Sequence, residues 1–262
     1  MMKGLYTAAT GMKVQQTNVD VIANNLANVN TAGFKRTQAN FQDLLYVVMR
    51  EPGAQSQNAF ASPNGVQIGS GAELVSTTKV FTPGTIENTD RALDVAILGD
   101  GFFEVELPNG QKAYTRDGGL TLDANGLLTT AQGFKIIPSI TVPNASDKNI
   151  VIATDGTVSA RNTDGTMSQL GQLQVVRFPN AAGLRAGGGN LLYETASSGA
   201  PEVKTPGVDG TGTLAQNMIE RSNVDVVSEL VNLITAQRAY EINSKAIKVG
   251  DEMLQDTSGL VR

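Results

Sequence analysis

Two glutamates near the middle of the chain have the spacing of a possible catalytic pair. Glu104 and Glu106 lie two positions apart in an alternating stretch that predicts a β-strand, so both carboxylates are expected on one face. Paired carboxylates are the catalytic groups of glycoside hydrolases. The same spacing also describes a solvated strand face opposite Phe103, Val105 and Leu107, and we favour that interpretation.

Other patterns that could bind a ligand are weaker. The run Gly99-Asp100-Gly101 resembles half of a dinucleotide fingerprint, but a predicted strand follows it where the motif needs a helix. The Asp-Gly pairs lack the spacing of a calcium loop and are typical of hairpin turns. The chain contains no histidine and no cysteine, which excludes Ser/His/Asp catalysis, thiol catalysis, disulfides and Cys/His metal sites. We therefore expect no enzyme, no cofactor, no bound metal and no small-molecule substrate.

Composition narrows the class of partner. The formal net charge of −5 argues against a nucleic-acid surface, which needs a basic stripe, and against an anionic membrane. No stretch approaches the roughly 18 consecutive apolar residues of a transmembrane helix. Residues 1–11 lack the apolar core of a cleavable signal peptide, so none is expected.

Both ends of the chain carry an apolar heptad pattern, in which steps of three and four alternate. At the N-terminus the pattern runs through Leu5, Ala8, Met12, Gln15, Val19, Ile22, Leu26 and Val29. At the C-terminus it runs through Val226, Leu230, Leu233, Gln237, Tyr240, Ser244, Ile247, Asp251 and Leu254. This alternation is the contact stripe of a coiled coil. The two termini are therefore predicted to be helices that pair as a coiled coil.

The N-terminal helix has features that weaken it. Gly11 lies inside it and costs about 1 kcal/mol relative to alanine. Several asparagines in its second half are poor helix formers, and Gly33 is a plausible C-terminal stop. Such a helix is mostly unfolded alone in water and needs a partner.

The C-terminal helix is predicted to be longer. Ser222 and Asp225 fit a capping box, and the helix is expected from there to about Asp256. A second apolar set lies beside the heptad stripe and consists of Val227, Val231, Ile234, Ile242, Ala246, Val249 and Met253. Two stripes on one helix indicate contacts with several neighbours.

The centre of the chain is predicted to be β-rich. Candidate strands cover residues 74–81, 93–98, 102–107, 113–116, 127–130, 134–137, 150–152 and 170–178. Turn pairs such as Asn109-Gly110, Asn125-Gly126, Asp155-Gly156 and Asp164-Gly165 separate them, which favours an antiparallel sandwich or barrel. Residues 181–212 are interpreted as a loop. The fold class is therefore α+β, with terminal helices and a central, mostly antiparallel β domain.

Three regions follow from these patterns. Residues 1–36 and 214–262 form the predicted helical domain, and residues 73–213 form the β-rich domain. Residues 37–72 form a linker and an extended arm. The candidate functional residues of the arm are Tyr46, Pro52, Gly53, Gln55 and Gly65. This arm is longer than loops in compact domains usually are, which suggests a function.

The terminal stripes could form an intramolecular helical hairpin that only caps the β domain. Amide side chains in or beside the stripe favour assembly instead, and they belong to Gln15, Asn24, Asn25, Asn28 and Gln237. Buried amides cost stability unless they are paired, and their best-attested use is to fix register and partner. We expect assembly contacts from Leu5, Met12, Val19, Ile22, Leu26, Val29, Leu230, Leu233, Ile234, Tyr240, Ile247 and Leu254.

Four segments together resemble a known family. Residues 22–36 (IANNLANVNTAGFKR) and 217–245, with SNVDVVSELVNLITAQRAYEINSK, are similar to the terminal signatures of bacterial flagellar rod and hook proteins. GDGFFEV at 99–105 and AYTRDGG at 113–119 also fit, so the resemblance spans the whole chain. Its signature residues here are Asn24, Asn25, Asn28, Gly33, Phe34, Gln237, Arg238 and Asn243. The chain length and the arm most resemble subunits of the distal rod.

The resemblance implies a structural subunit that polymerises with copies of itself in a straight tube across the periplasm. Its helices would surround the export channel, and its β domain would face the L-ring and P-ring proteins. Its other partners would be proximal rod proteins, hook protein and the flagellar export apparatus, which would export it without a cleavable signal peptide. The alternatives within the family are a proximal rod or a hook-type axial subunit. A β-rich secreted binding module is a rival of another class, but aromatic residues for a binding groove are scarce.

Overall fold

A computed structural model describes residues 2–51, 65–142, 150–161 and 166–259. The described chain forms two compact units. One unit consists of Met1–Leu26, Thr37–Thr78 and Asp225–Arg262, and the other of Ala27–Arg36 and Lys79–Val224. We call these the helical unit and the β-rich unit. The boundaries predicted from sequence, at 36/37, 72/73 and 213/214, stay predictions of domain structure.

The helical unit contains both long helices and two small sheets. Its elements are α1 Met2–Ala27, β1 Thr37–Asp43, β2 Tyr46–Arg50, β3 Val66–Gly69, β4 Ala72–Lys79 and α2 Val226–Gly259. Strand β1 pairs with β4, and β2 pairs with β3 in an antiparallel ribbon. Strand β3 lies within the segment that the sequence predicts as a linker and extended arm, and Ile68 faces Val47 in the ribbon.

The start of α2 differs from the predicted capping box. The Asp225 side chain accepts a hydrogen bond from the Val227 backbone N–H at 3.1 Å and one from the Ser228 hydroxyl at 2.6 Å. Asp225 is therefore the N-cap, and Ser222 is not, because the Ser222 hydroxyl accepts from Val224 before the helix begins. The pKa of Asp225 lies below its usual value because the carboxylate accepts the hydrogen bond from the Ser228 hydroxyl and also the one from the Val227 N–H.

The β-rich unit is built from short antiparallel strands. They are β5 Ile86–Asn88, β6 Val95–Leu98, β7 Phe103–Glu106, β8 Lys112–Thr115, β9 Leu120–Leu122, β10 Leu128–Thr130, β11 Lys135–Ile137, β12 Ile150–Ile152, β13 Thr157–Arg161, β14 Met167–Gln172, β15 Val175–Arg177, β16 Arg185–Gly188, β17 Leu191–Tyr193, β18 Glu202–Lys204, β19 Thr213–Gln216 and β20 Met218–Glu220. The largest sheet has the order β16-β17-β8-β7-β11-β10-β9, and β12, β13 and β14 form a second sheet. The remaining strands pair as β15-β18, β19-β6 and β20-β5.

Seven of the eight strands predicted from sequence are present, although several are shorter than predicted, and the eighth, residues 170–178, is divided between the end of β14 and β15. Residues 181–212 are not a loop, because β16, β17 and β18 form there. The described glycines of the predicted turns, Gly110, Gly126 and Gly156, have φ between 75° and 84°, as hairpin turns require. Asp164-Gly165 lies outside the described residues. The prediction of an α+β fold with terminal helices and a central antiparallel β region is confirmed.

The core of the β-rich unit joins side chains from several sheets. Phe103 and Val105 of β7 are fully buried, and they belong to one apolar cluster with Ile97 of β6 and Ile152 of β12. A second, aromatic cluster surrounds Phe178. Burial of these side chains contributes about 1.5–3 kcal/mol each. Strand β7 is therefore a central strand covered on both faces.

Candidate assembly surfaces

The apolar face of α1 is partly covered in the folded chain. Among its predicted assembly residues Ile22 is buried, whereas Leu5, Met12, Val19 and Leu26 are half-buried. Val29, also half-buried, lies beyond the end of the helix. The heptad pattern missed Val14, which is buried although it precedes a heptad position.

The covered face of α2 differs in part from the predicted heptad stripe. Leu233, Ile247 and Leu254 are half-buried, as are Asn243 and Gly250. The most buried positions of the helix are Glu229 and Ala236, and neither belongs to the heptad. The other predicted assembly residues of α2, Leu230, Ile234 and Tyr240, are exposed. The covered face of α2 is therefore rotated by about one residue from the predicted one.

Two glycines mark the places where α1 and α2 approach each other. A Cβ atom on Gly11 would lie 3.0 Å from Nδ2 of Asn243, and a Cβ atom on Gly250 would lie 2.5 Å from Cδ2 of Leu5. Because position 5 meets position 250 and position 11 meets position 243, the two helices run antiparallel here. Gly11, which the sequence presents as a weak point, thus gives α2 room to approach. Coiled-coil pairing along the whole stripe stays a prediction.

The second apolar set of α2 faces solvent. Val227, Val231, Ile234, Ile242, Val249 and Met253 are each about half exposed or more, with Val227 at 69% and Ile242 at 66%. We call these six residues the outer stripe. Exposed apolar side chains that share one helix face are typical of a contact surface.

The β2–β3 ribbon is also apolar and exposed. Val47 and Ile68 are cross-strand partners on one face, while Val48 lies on the other face beside Tyr46. All four of these side chains are exposed. A two-stranded ribbon is marginally stable by itself in water. Of the other candidate functional residues of the arm, Gly65 is half-buried, and Pro52, Gly53 and Gln55 lie outside the described residues.

Asn25 does not use its amide as the sequence interpretation proposed. Its Nδ2 donates to the Thr37 backbone carbonyl at 2.8 Å, and its Oδ1 accepts from the Thr37 backbone N–H at 2.8 Å. The Asn25 side chain therefore pairs with Thr37 as the backbone of a neighbouring strand would. The oxygen and the nitrogen of its amide are both hydrogen-bonded within the same chain. Because Asn25 is 2% exposed, this pairing removes the cost of burying its amide.

The remaining signature residues have different surroundings. Asn24, Gln237 and Arg238 are exposed, and Asn28 accepts a hydrogen bond from the Thr31 hydroxyl at 3.2 Å. Asn243 faces α1, as described above. Gly33 and Phe34 belong to the β-rich unit, where the Phe34 ring lies 4.9 Å from Nζ of Lys79. The signature is thus divided between the helical unit and the β-rich unit.

A buried ion cluster lies beside Gly33. The carboxylate of Glu220 contacts Nζ of Lys35 at 2.5 Å through Oε1 and Nε of Arg116 at 2.9 Å through Oε2. Oε1 also accepts from the Gly84 backbone N–H at 2.9 Å, and Lys35 donates to the Thr82 carbonyl at 2.8 Å. All three charged side chains are at most 3% exposed.

The pKa values in this cluster follow from burial and charge. Burial lowers the pKa of Lys35. The hydrogen bond with the Glu220 carboxylate raises this pKa and the charge of the neighbouring Arg116 lowers it, so that the pKa lies below its usual value. Burial alone would raise the pKa of Glu220. The Arg116 charge and the hydrogen bonds from Lys35 and the Gly84 N–H outweigh it, so the pKa lies below its usual value. Glu220 is therefore ionised at neutral pH and balances one of the two cations.

The sequence alone does not predict this cluster. Lys35 and Glu220 are 185 positions apart, and no local periodicity relates them. The only available signal was a glutamate at the end of a short apolar stretch, Met218-Ile219-Glu220, shortly before the predicted helix. Asn223 was missed for the same reason. Its side chain accepts from the Arg36 backbone N–H at 2.7 Å and donates to the Val80 carbonyl at 2.8 Å.

Glu104 differs from the solvated carboxylate that we expected. It is 4% exposed, and its Oε1 lies 2.7 Å from Nζ of Lys112 on the neighbouring strand. The residue is buried because both faces of β7 are covered. Glu106 is half-buried. Among the described residues, no group of carboxylates is placed to hold a metal ion.

Neither α1 nor α2, the two described helices that are long enough, has the apolar content needed to cross a membrane.

Comparison with protein-family models identifies three matched regions. Residues 5–35 match the model described as flagella basal body rod protein. Residues 96–160 match the flagellar hook protein FlgE/F/G D1 domain, and residues 215–260 match the C-terminal region of the flagellar basal body rod FlgEFG proteins. The three matches occur at both helices and in the middle of the β-rich unit.

Curated relatives match over nearly the whole chain. The flagellar basal-body rod protein FlgG of Buchnera aphidicola subsp. Acyrthosiphon pisum is 50% identical over 99% of this chain and 100% of the relative. FlgG of Borreliella burgdorferi is 46% identical over 100% of both chains. The flagellar hook-basal body complex protein FlhP of Bacillus subtilis is 33% identical over 97% of both chains.

Proposed function

Because the chain belongs to the family of flagellar basal-body rod proteins, we propose that it is a structural subunit of the distal rod. Copies of the chain polymerise in this role into a straight, hollow helical tube across the periplasm. The tube acts as a drive shaft that transmits torque to the hook and surrounds the export channel. The subunit has no catalytic activity in this proposal, and it is exported without a cleavable signal peptide.

The outer stripe of α2 is the observation that best supports assembly. Its six apolar side chains are exposed in the single chain, although they lie on a helix whose opposite face is partly covered. Burial of each such side chain against a neighbour contributes about 1.5–3 kcal/mol. Ordering the helix ends offsets part of this gain, at about 1–2 kcal/mol per residue of backbone. Association is therefore favourable where several neighbours bury the stripe together.

A stripe on one surface that meets a different surface of the next copy makes a heterologous contact. Such contacts generate a helical polymer when the rotation between copies does not close a ring. The predicted assembly residues of both helices, with the outer stripe, form the inner tube in this proposal. The β-rich unit forms the outer wall, where it meets the L-ring and P-ring proteins. Proximal rod proteins and hook protein contact the two ends of the polymer, and the export apparatus delivers the subunit.

A charge placed on the outer stripe tests the proposal. The double variant V231E/I242E puts two carboxylates on exposed positions, so the monomer should keep its melting temperature and its circular dichroism spectrum. Rod assembly and swimming should be lost, because assembly would bury both charges without partners. The matched control is Asn232→Glu, which adds the same type of charge to the neighbouring exposed polar position. Normal swimming of V231E/I242E, with rods of normal length, would refute the outer stripe as the contact.

The arm distinguishes the distal rod from the alternative of a proximal rod or hook-type axial subunit. We propose that the arm contacts neighbouring copies and makes the tube straight and stiff. The arm residues expected to do so are Tyr46, Pro52, Gly53, Gln55 and Gly65. Deletion of residues 55–65 should then give rods of altered stiffness or length in electron micrographs of purified basal bodies. Unchanged rods would favour the alternative, as would localisation of tagged subunits to the proximal rod or hook.

A further inference from the structure

We propose that residues 32–36 are a docking segment that closes the β-rich unit, with Glu220 as the carboxylate that receives it. Every residue of the segment contacts the rest of this unit. Ala32 accepts from Nδ2 of Asn190, Gly33 donates to the Glu220 carbonyl, Phe34 lies under Lys79, Lys35 contacts Glu220, and Arg36 is bonded to Asn223 and Val80. Five consecutive residues thus contribute to one attachment.

Gly33 allows the segment to lie directly on the polypeptide backbone after β8. Its φ of +66° is in the left-handed region, and its backbone N–H donates to the Glu220 carbonyl at 2.8 Å. A Cβ atom at this position would lie 2.7 Å from both the carbonyl carbon of Arg116 and the backbone nitrogen of Asp117. Since backbone atoms cannot move aside as a flexible side chain can, the segment docks in this way only without a side chain at position 33.

Glu220 supplies the charge that the docked segment requires. Docking places Lys35 in a site where its side chain is 3% exposed, next to the equally buried Arg116. Without the carboxylate, two cations would be buried together, and an uncompensated buried charge is strongly destabilising. The carboxylate contacts both cations through different oxygen atoms, so the same group fixes the segment and the end of β8.

The receiving carboxylate is carried by the last strand of the unit. Glu220 ends β20, which pairs with β5, and the preceding strand β19 pairs with β6. The unit therefore closes only when segments from both ends of its sequence are present. On the proposed function, a subunit exported as an unfolded chain completes this unit only after residue 220 has left the channel.

Hydrogen exchange on the purified full-length chain tests the docking segment. Four amides report on it, those of Gly33, Arg36, Val80 and Gly84. In Glu220→Gln their exchange should accelerate about 100-fold or more, because a neutral amide leaves two buried cations unbalanced. Lys35→Met should have a much smaller effect, since Glu220 and Arg116 then balance each other. The matched control is Glu87→Gln, which removes the exposed ion pair with Arg221, the residue after β20, and should leave all four amides unchanged.

The double variant K35M/E220Q keeps the test decisive if Glu220→Gln unfolds. Removing one cation together with the carboxylate should restore part of the protection, and the double-mutant cycle should show coupling between the two positions. Protection in Glu220→Gln within about threefold of the wild type would overturn the proposal, as would a double variant no better protected than Glu220→Gln. The measurement uses the monomer and no assembly, so its outcome is independent of the role in the rod.

Discussion

Gly11 of α1 lies against Asn243 of α2, so close that a Cβ atom on the glycine would be 3.0 Å from the amide nitrogen Nδ2. The family signature and the weakest position of the predicted N-terminal helix thus meet at one contact. A substitution at this contact therefore tests the antiparallel arrangement of α1 and α2 within the helical unit.

A large side chain at position 11 should separate the two helices. Gly11→Leu improves the intrinsic helix propensity but forces a side chain into the Asn243 contact, and we expect a net loss of about 1–3 kcal/mol. The matched variant is Gly4→Leu, because a Cβ atom on Gly4 meets no other atom within 4 Å. Thermal unfolding followed by far-ultraviolet circular dichroism measures both. Equal melting temperatures for the two variants would show that α2 does not approach α1 at Gly11.

Gly33→Ala should destabilise the β-rich unit much more than Gly110→Ala. Both glycines have positive φ, 66° and 75°, so each alanine carries the cost of the left-handed region, about 1–2 kcal/mol. Only Gly33 adds a collision with backbone atoms, whereas Gly110 faces open space. We expect the difference between the two variants in urea unfolding to be at least about 2 kcal/mol. Similar midpoints would contradict the tight docking of Gly33.

Asn25→Leu should loosen the start of β1. The change keeps a side chain of similar size but leaves the Thr37 N–H and carbonyl without their partner, at about 1–3 kcal/mol for each unsatisfied buried group. Faster exchange of the Thr37 amide is the direct measurement. Asn109→Leu, in an exposed turn of the β-rich unit, controls for the general effect of this substitution. An unchanged Thr37 amide would mean that Asn25 does not hold the strand.

Tyr114 should make the β-rich unit sensitive to alkali. Burial, with the charges of Glu104 and Glu194, raises its pKa from 10.0 to about 12. The folded chain therefore holds this proton more tightly than the unfolded chain, so the stabilisation is complete below pH 10 and is lost as the pH rises to about 12. The loss is on the order of 2–3 kcal/mol.

Tyr114→Phe keeps the edge-to-face contact with Phe178, whose ring centroid lies 4.7 Å away, but removes the proton. Unfolding free energies measured between pH 10 and pH 12 should therefore decline less in this variant. The same change at the exposed Tyr6 is the control and should leave the decline in place. A decline identical in all three proteins would assign alkaline sensitivity to other groups.

Local signals were sufficient for most of the β-rich unit. Residues 150–152 alternate in the way that a half-buried strand requires, and β12 has the predicted bounds. Gly-rich strands escaped the same reasoning. Residues 185–188 resemble a loop, yet β16 pairs there with β17, whose Leu191 and Leu192 are buried. Burial by the rest of the unit decided the structure in that region.

The assembly surfaces show the same limit. The second apolar set of α2 was visible as a helical periodicity, and its exposure agrees with the expectation that it contacts something outside the chain. The use of Asn25 was not visible, because the sequence shows an amide near a stripe but not the strand it pairs with. The Lys35–Glu220 contact depends entirely on how distant segments meet, and only the folded structure reveals it.

The exposed outer stripe has a consequence for the cell that makes this chain. On the proposed function, free copies expose the same apolar helix face before they join the rod, and we expect them to self-associate at high concentration. Synthesis matched to assembly would keep the pool of free copies small.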